Sequence, residues 1–171
     1  MNFPHISIVC PVYQAESCIA ELCRRLRQAI GSITQEFEII LVEDGSKDNS
    51  WLLIKEEAEA DLRIKGIRLS RNFGQHKAIT AGLDNAKGDW IIVLDCDLQD
   101  PPEEIPRLYR KALEGNEIVI AQFDERYESK LSQIASKSFW LTLSWVSGLR
   151  FDSRVGNFRI MSKKVVENFC S

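Results

Sequence analysis

Residues 93–104, VLDCDLQDPPEE, carry an apolar run directly into Asp95 and Asp97, with Asp100 and two prolines behind them. Buried strands exclude charge because an ion loses its hydration there, so acids at the end of one require a reason. In extended backbone, residues i and i+2 share a face, which converges the Asp95 and Asp97 carboxylates on one spot. Two like charges held together are costly unless a cation lies between them. Hard oxygen donors select Mg2+ or Mn2+, and magnesium is commonly held by one or two carboxylates together with substrate phosphates. The pair is therefore a candidate seat for a divalent ion that grips a diphosphate. The competing reading is that these acids are turn and capping residues, which aspartate commonly supplies. For Asp48 and Asp100 capping is the preferred reading, since each stands just before a helix pattern.

The elements that position these acids follow from periodicity. ISIVCPVY, FEIILVED, KGIRLS, DWIIVLD and NEIVIAQF are apolar and β-branched runs, the pattern of buried strands. Between them, ESCIAELCRRLRQAI places Ile19, Leu22, Cys23, Leu26 and Ile30 at helical spacing. DNSWLLIKEEAEADL is a second helix with Asp48 as its cap, and HKAITAGLDNA a third, closed by Gly88. PPEEIPRLYRKALEG opens on prolines where helical partners are lacking anyway, carries Glu103 and Glu104 in its first turn, and closes on Gly115. SKLSQIASKSFWLTLSWVSGL is a long helical pattern, and MSKKVVENFCS reads as the opening of another helix with no stop signal, as in a fragment of a longer chain.

Apolar strands each followed by a helix predict an α/β fold, a doubly wound and mostly parallel sheet sandwiched by helices. Ligands in such folds lie beyond the carboxyl ends of the strands. Both Glu43-Asp44-Gly45-Ser46, after the second strand, and Asp95-Cys96-Asp97, after the fourth, fall on that edge.

Length and composition narrow the class. The 171 residues, 44% hydrophobic and 27% charged, suit one globular domain spanning 1–171. A net charge of −3 leaves no electrostatic footprint for nucleic acid. The five cysteines (Cys10, Cys18, Cys23, Cys96, Cys170) form no CxxC pair and no zinc spacing, which fits a reducing compartment. No signal peptide and no window of about 20 apolar residues is present, so the chain as it stands is expected to be soluble and cytoplasmic. A dinucleotide fingerprint, a P-loop and a nucleophile elbow are all missing.

Four ordered segments then act together: CPVYQAES, IILVEDGSKDNS, LSRNFGQHKAITAGLDNAKGDWIIVLDCDLQDPPEEIP and VGNFRIMSKKVV. In this order they resemble the family 2 glycosyltransferases of the GT-A fold, and in particular the polyprenyl-phosphate sugar transferases of the dolichol-phosphate mannose synthase and bactoprenol glucosyltransferase group. The resemblance covers nearly the whole chain. It implies a single GT-A catalytic domain over 1–171 that lacks the C-terminal membrane helices of full-length relatives. It also implies an inverting enzyme that moves a sugar from a UDP-, GDP- or dTDP-linked donor to a polyprenyl phosphate such as undecaprenyl or dolichyl phosphate, on the cytoplasmic side of the cell membrane.

Residue by residue, the resemblance places Pro11, Val12 and Tyr13 against the nucleotide, with Asp44 and Gly45 on its base or ribose side. Asp95 and Asp97 match the metal-site aspartates, Cys96 lines the nucleotide between them, and Gln99 is a further metal-side ligand for Mg2+ or Mn2+. Arg71 and Lys77 are candidates to face phosphate or to lie on the surface, while His76 reads as structural or solvated. Gln14-Ala15-Glu16 departs from the N-E-E common in the family, which leaves the base open.

Asn157 stands where related sequences often carry aspartate. Asparagine cannot accept a proton at neutral pH, so it is no general base. A sugar hydroxyl needs such a base, whereas a phosphate monoester, with a second pKa of about 6, is already an anion. Asn157 therefore suits a lipid-phosphate acceptor, which Arg159 could hold bidentately; the alternative is that Arg159 pairs with a nearby carboxylate.

Residues 138–149, SFWLTLSWVSGL, fit either an interfacial helix at a membrane surface or a helix packed on the sheet. Two rival functions remain. One is a transferase acting on a saccharide hydroxyl in cell-surface polysaccharide synthesis, with a base among Asp124, Glu125 and Glu128 or beyond the chain. The other is an inactive nucleotide-sugar binding module.

Overall fold

The computed structural model describes residues 5–122 and 155–169. Its elements run β1 (Ile6–Val12), α1 (Ile19–Gly31), β2 (Phe37–Glu43), α2 (Ser50–Ala60), β3 (Ile64–Arg68), α3 (Gln75–Asn85), β4 (Trp90–Val93), a 3-10 turn (Pro102–Glu104), α4 (Ile105–Leu113), β5 (Ile118–Gln122), β6 (Val155–Ser162) and α5 (Lys163–Phe169). One sheet of order β3-β2-β1-β4-β6-β5 unites all six strands. The β3-β2-β1-β4 half is parallel, and β6 is antiparallel to both of its neighbours.

Helices cover both faces, as strands buried throughout demand. Every residue of β1 and β2 is buried. Ile6, Ile8, Cys10, Ile39 and Leu41 pack against Leu22 and Leu26 of α1 and Ile105 and Leu108 of α4. The alternate residues Val9, Ile40 and Val42, with Ile91 and Val93, pack against Ala78 and Ile79 of α3 and Val166 of α5. Cys10, Cys18, Cys23 and Cys96 are free thiols.

The amino edge of the sheet carries a buried polar clamp. The Ser7 hydroxyl donates to Glu38 Oε1 at 2.6 Å and accepts from the Gly88 N–H at 2.8 Å. The Lys87 N–H and Lys65 Nζ donate to the two oxygens of Glu38 at 2.7 and 2.6 Å. The loop between α3 and β4 is thereby tied to the starts of β1 and β2.

Four expectations are corrected. VGNFRIM forms strand β6, which periodicity missed because Asn157 and Arg159 interrupt its apolar side chains and its partners are distant in sequence; the helix α5 begins only at Lys163. Helix α3 stops at Ala86 in extended backbone, not at Gly88. Gly88 serves close approach instead, since a Cβ there would lie 2.5 Å from the Ser7 nitrogen. Strand β4 ends at Val93, so Asp97 is placed by a turn, with Leu98 at φ 63°, and not by strand alternation. Capping also differs. Asn49 and Pro101 occupy the cap positions, Asp48 accepts from the Ser50 N–H at 3.1 Å and the Glu16 N–H at 3.2 Å, and Asp100 is buried.

Residues 123–154, which include the 138–149 segment, Asp124, Glu125 and Glu128, and also Cys170, lie outside the described residues. Among the described residues no helix is long and apolar enough to cross a membrane.

Candidate active site

The carboxyl ends of β1, β2 and β4 meet at a cavity of about 290 Å³, close to the lower size of ligand pockets. Pro11, Val12, Tyr13, Asp44, Asp95, Cys96 and Asp97 line it, joined by Asn72, Gly74 and Gln75. Seven sequence-predicted residues are thus brought together. Gly45, Arg71, Gln99, Asn157 and Arg159 stand outside this lining.

The β1–α1 loop is fixed by its neighbour after β2. The Gln14 N–H donates to Ser46 Oγ at 3.0 Å and the Ala15 N–H to Ser50 Oγ at 3.0 Å, while Glu16 accepts from the Asn49 N–H at 2.9 Å. Ala15 is buried, and Tyr13 keeps its ring exposed at the cavity. The residues that depart from N-E-E therefore act by shaping this loop.

Asp44 is only 3% exposed. Its two oxygens accept the Phe73 N–H at 2.7 Å and the Gly74 N–H at 2.9 Å. It clamps the loop that leads into α3, where a negative charge also suits the helix N-terminus. Gly45, at φ +69°, lets that loop cross: an added Cβ would lie 2.4 Å from the Asn72 nitrogen and 2.5 Å from the Arg71 carbonyl carbon. Gly45 therefore serves backbone crossing. Arg71 is exposed, its guanidinium 4.7 Å from the centre of the Phe73 ring, and His76 and Lys77 are exposed on α3.

The Asp95 carboxylate is gripped from two sides. Gln75 Nε2 donates to its Oδ1 at 2.6 Å, and Asn157 Nδ2 lies 3.1 and 3.3 Å from Oδ1 and Oδ2. The latter contact continues the β4–β6 register, in which Val93 faces Arg159, two residues farther along. Asn157 and Arg159, at i and i+2, share the face of the sheet toward α3. Burial lowers the Arg159 pKa, an effect that the Asp95 charge opposes. Arg159 is half-buried, and its guanidinium forms no hydrogen bond or ion pair with another described residue. It remains a guanidinium, since arginine does not deprotonate in proteins.

Asp97 is exposed, and its Oδ1 accepts the Gln99 N–H at 3.0 Å. Gln99 thus reaches the site through its backbone. Burial, followed by the charges of Asp97 and Asp95, pushes the Cys96 thiol up to about 11. It is a protonated wall of the cavity and no nucleophile.

Among the described residues no group of three or more His, Cys, Asp or Glu side chains is arranged to hold a metal unaided. A closed structural metal site is therefore not what these residues make. Two carboxylates at an open cavity match the other kind of site, where phosphates and water complete the shell of a hard cation.

The sequence model of the family described as glycosyl transferase family 2 matches residues 7–168. The chain belongs to that family. Undecaprenyl-phosphate 4-deoxy-4-formamido-L-arabinose transferase of Salmonella choleraesuis strain SC-B67 is 45% identical over 144 residues, covering 84% of this chain and 44% of that protein. The chain thus spans less than half the length of this relative. Among solved structures, mannosyl-3-phosphoglycerate synthase of Rubrobacter xylanophilus aligns with a TM-score of 0.70 at 14% identity, over 95% of this chain and 54% of that one. The mannosyltransferase PcManGT of Pyrobaculum calidifontis, in complex with GDP-Man and Mn2+, aligns with a TM-score of 0.67 at 14% identity, over 98% and 47%. These likenesses show the GT-A fold.

Within this family 2 domain, sequence reasoning overlooked Gln75 and Asn72. Gln75 is the first residue of α3 and polar residues abound at helix starts, so nothing in RNFGQ marks it as a partner of an aspartate 20 positions away. For strand β6, by contrast, a signal was present in the i, i+2 spacing of Asn157 and Arg159 around Phe158 and before Ile160, which is strand alternation.

Proposed function

We propose that this chain is an inverting glycosyltransferase that moves a sugar from a nucleoside-diphosphate donor, linked to UDP, GDP or dTDP, to a polyprenyl phosphate of the undecaprenyl or dolichyl type. The observation that carries the reading is the pairing on β6 of Asn157, which cannot act as a base, with Arg159, a half-buried guanidinium with no ion pair among the described residues. An acceptor that is already an anion needs a cation and no base. Support for the acceptor class comes from the 45% identical relative, whose name states an undecaprenyl-phosphate sugar transferase.

Pro11, Val12 and Tyr13 wall the nucleotide, Cys96 closes the side between the two carboxylates, and Asp44 holds the loop that frames the base or ribose. Arg159 orients the acceptor phosphate toward the anomeric carbon, on the face opposite the departing diphosphate. Asn157 holds Asp95 so that its charge stays beside Arg159. Asp97, with Asp95 and the Gln99 segment, would hold Mg2+ or Mn2+, which supplies charge neutralisation for the leaving nucleoside diphosphate when bound. The Mn2+ in PcManGT supports this choice of ion. A polyprenyl acceptor resides in a bilayer, so the chain would work at a membrane surface, on the cytoplasmic side where nucleotide sugars are made.

The test is release of nucleoside diphosphate from UDP-, GDP- and dTDP-sugars with Mn2+, with and without a short-chain polyprenyl phosphate. Turnover that depends on the lipid phosphate is expected. Turnover only with a saccharide acceptor, or binding of nucleotide with no turnover under any condition, refutes the proposal.

A further inference from the structure

Gln75 has no part in the transfer as derived so far, yet its amide lies 2.6 Å from Asp95 Oδ1. An ionised carboxylate offers about four lone-pair positions. Gln75 and Asn157 both donate to Asp95, and Gln75, Asp95 and Asp97 line the same cavity.

The support behind Gln75 is stiff. The loop that precedes it is held by the two Asp44 bonds of 2.7 and 2.9 Å, and it crosses Gly45 at a distance that admits no Cβ. Contacts therefore run without a break from the end of β2, through residues 72–75, to the carboxylate beyond β4. An amide suits this position chemically. It donates a hydrogen bond without bringing a positive charge that would compete with a cation, or a negative one that would repel the aspartate.

Resting on the metal-assisted transfer proposed above, we propose that Gln75 is a positioning residue, whose amide, backed by the Asp44-clamped loop, orients Asp95 toward a divalent cation shared with Asp97. Groups that orient metal ligands typically set affinity by 10- to 100-fold when removed. Gln75 is exposed, and exposed substitutions away from special features change stability little. The two kinds of effect therefore separate.

The experiment measures free Mn2+ by electron paramagnetic resonance as it is titrated into the chain with excess UDP. Melting of the same samples is followed without metal. Gln75→Leu, similar in length but unable to donate, should weaken Mn2+ binding about 10- to 100-fold with a metal-free Tm close to wild type. Gln75→Asn, too short to keep the contact, should fall in the same direction. Variants that bind Mn2+ as wild type does, or that lose Tm with no loss of Mn2+ affinity, overturn the positioning role alone. A wild-type chain that takes up no Mn2+ with UDP overturns this inference and the metal-assisted reading together.

Discussion

Replacing Asp44 by asparagine separates two roles for this residue, contact with the nucleotide and clamp of the loop before α3. The carboxylate is 3% exposed and accepts two backbone N–H groups, from Phe73 at 2.7 Å and Gly74 at 2.9 Å. Asparagine keeps one carbonyl oxygen and turns an NH2 group toward the second N–H. One bond to a charged acceptor is then lost, about 1.5–3 kcal/mol, and a donor is left facing a donor where little water enters. A total near 3 kcal/mol is expected, which for a chain of this size lowers Tm by about 6–12 °C. Differential scanning calorimetry without nucleotide reads this directly, and isothermal titration with UDP and Mn2+ reads the consequence. Because the released loop carries Gln75, nucleotide and metal affinity should fall together with Tm. If Asp44→Asn melts like wild type and loses only nucleotide affinity, Asp44 is a ligand contact and the clamp reasoning is wrong.

Three further outcomes follow from the same geometry. Burial raises the Glu38 carboxyl, but the bonds from Lys65, Ser7 and the Lys87 N–H outweigh it and hold its pKa below the ordinary 4.5. Its contribution to stability is therefore complete above that value and is lost as pH falls through the lowered folded pKa. Glu38→Gln should melt well below wild type at pH 7 and converge on it in acid below pH 4.5, while UDP binding persists because the clamp lies at the opposite edge of the sheet; a pH-independent difference in Tm would contradict this. Gly45→Ala meets backbone at 2.4 Å and a left-handed φ of +69°, so a loss of at least about 2 kcal/mol is expected in urea unfolding. Arg159→Met should raise KM for the polyprenyl phosphate by about 10- to 100-fold, the equivalent of one charged hydrogen-bonded contact, with donor affinity unchanged; the reverse pattern would place Arg159 on the donor.

Much of this architecture was legible because burial and charge leave strong marks on sequence. Strands β1, β2 and β4 are apolar on both faces, and a carboxylate at the end of such a run breaks the pattern visibly. That break marks Asp44, Asp95 and Asp97 at one edge from the sequence alone. Strand β6 left no comparable mark, since two of its residues are polar for the sake of the site and its pairing with β4 joins Asn157 to Asp95 across 62 positions. The division runs deeper than distance along the chain. Ions in an apolar setting are conspicuous, whereas the neutral groups that hold them are not: Gln75 at a helix start and Asn157 within a strand are ordinary residues in ordinary places. Their meaning comes from the path of the 71–74 loop over Gly45, a path set by the absence of one Cβ and by two N–H groups turned toward Asp44. A charged site must be oriented by groups that do not cancel its charge. The parts that aim such a site are for that reason the parts a sequence conceals.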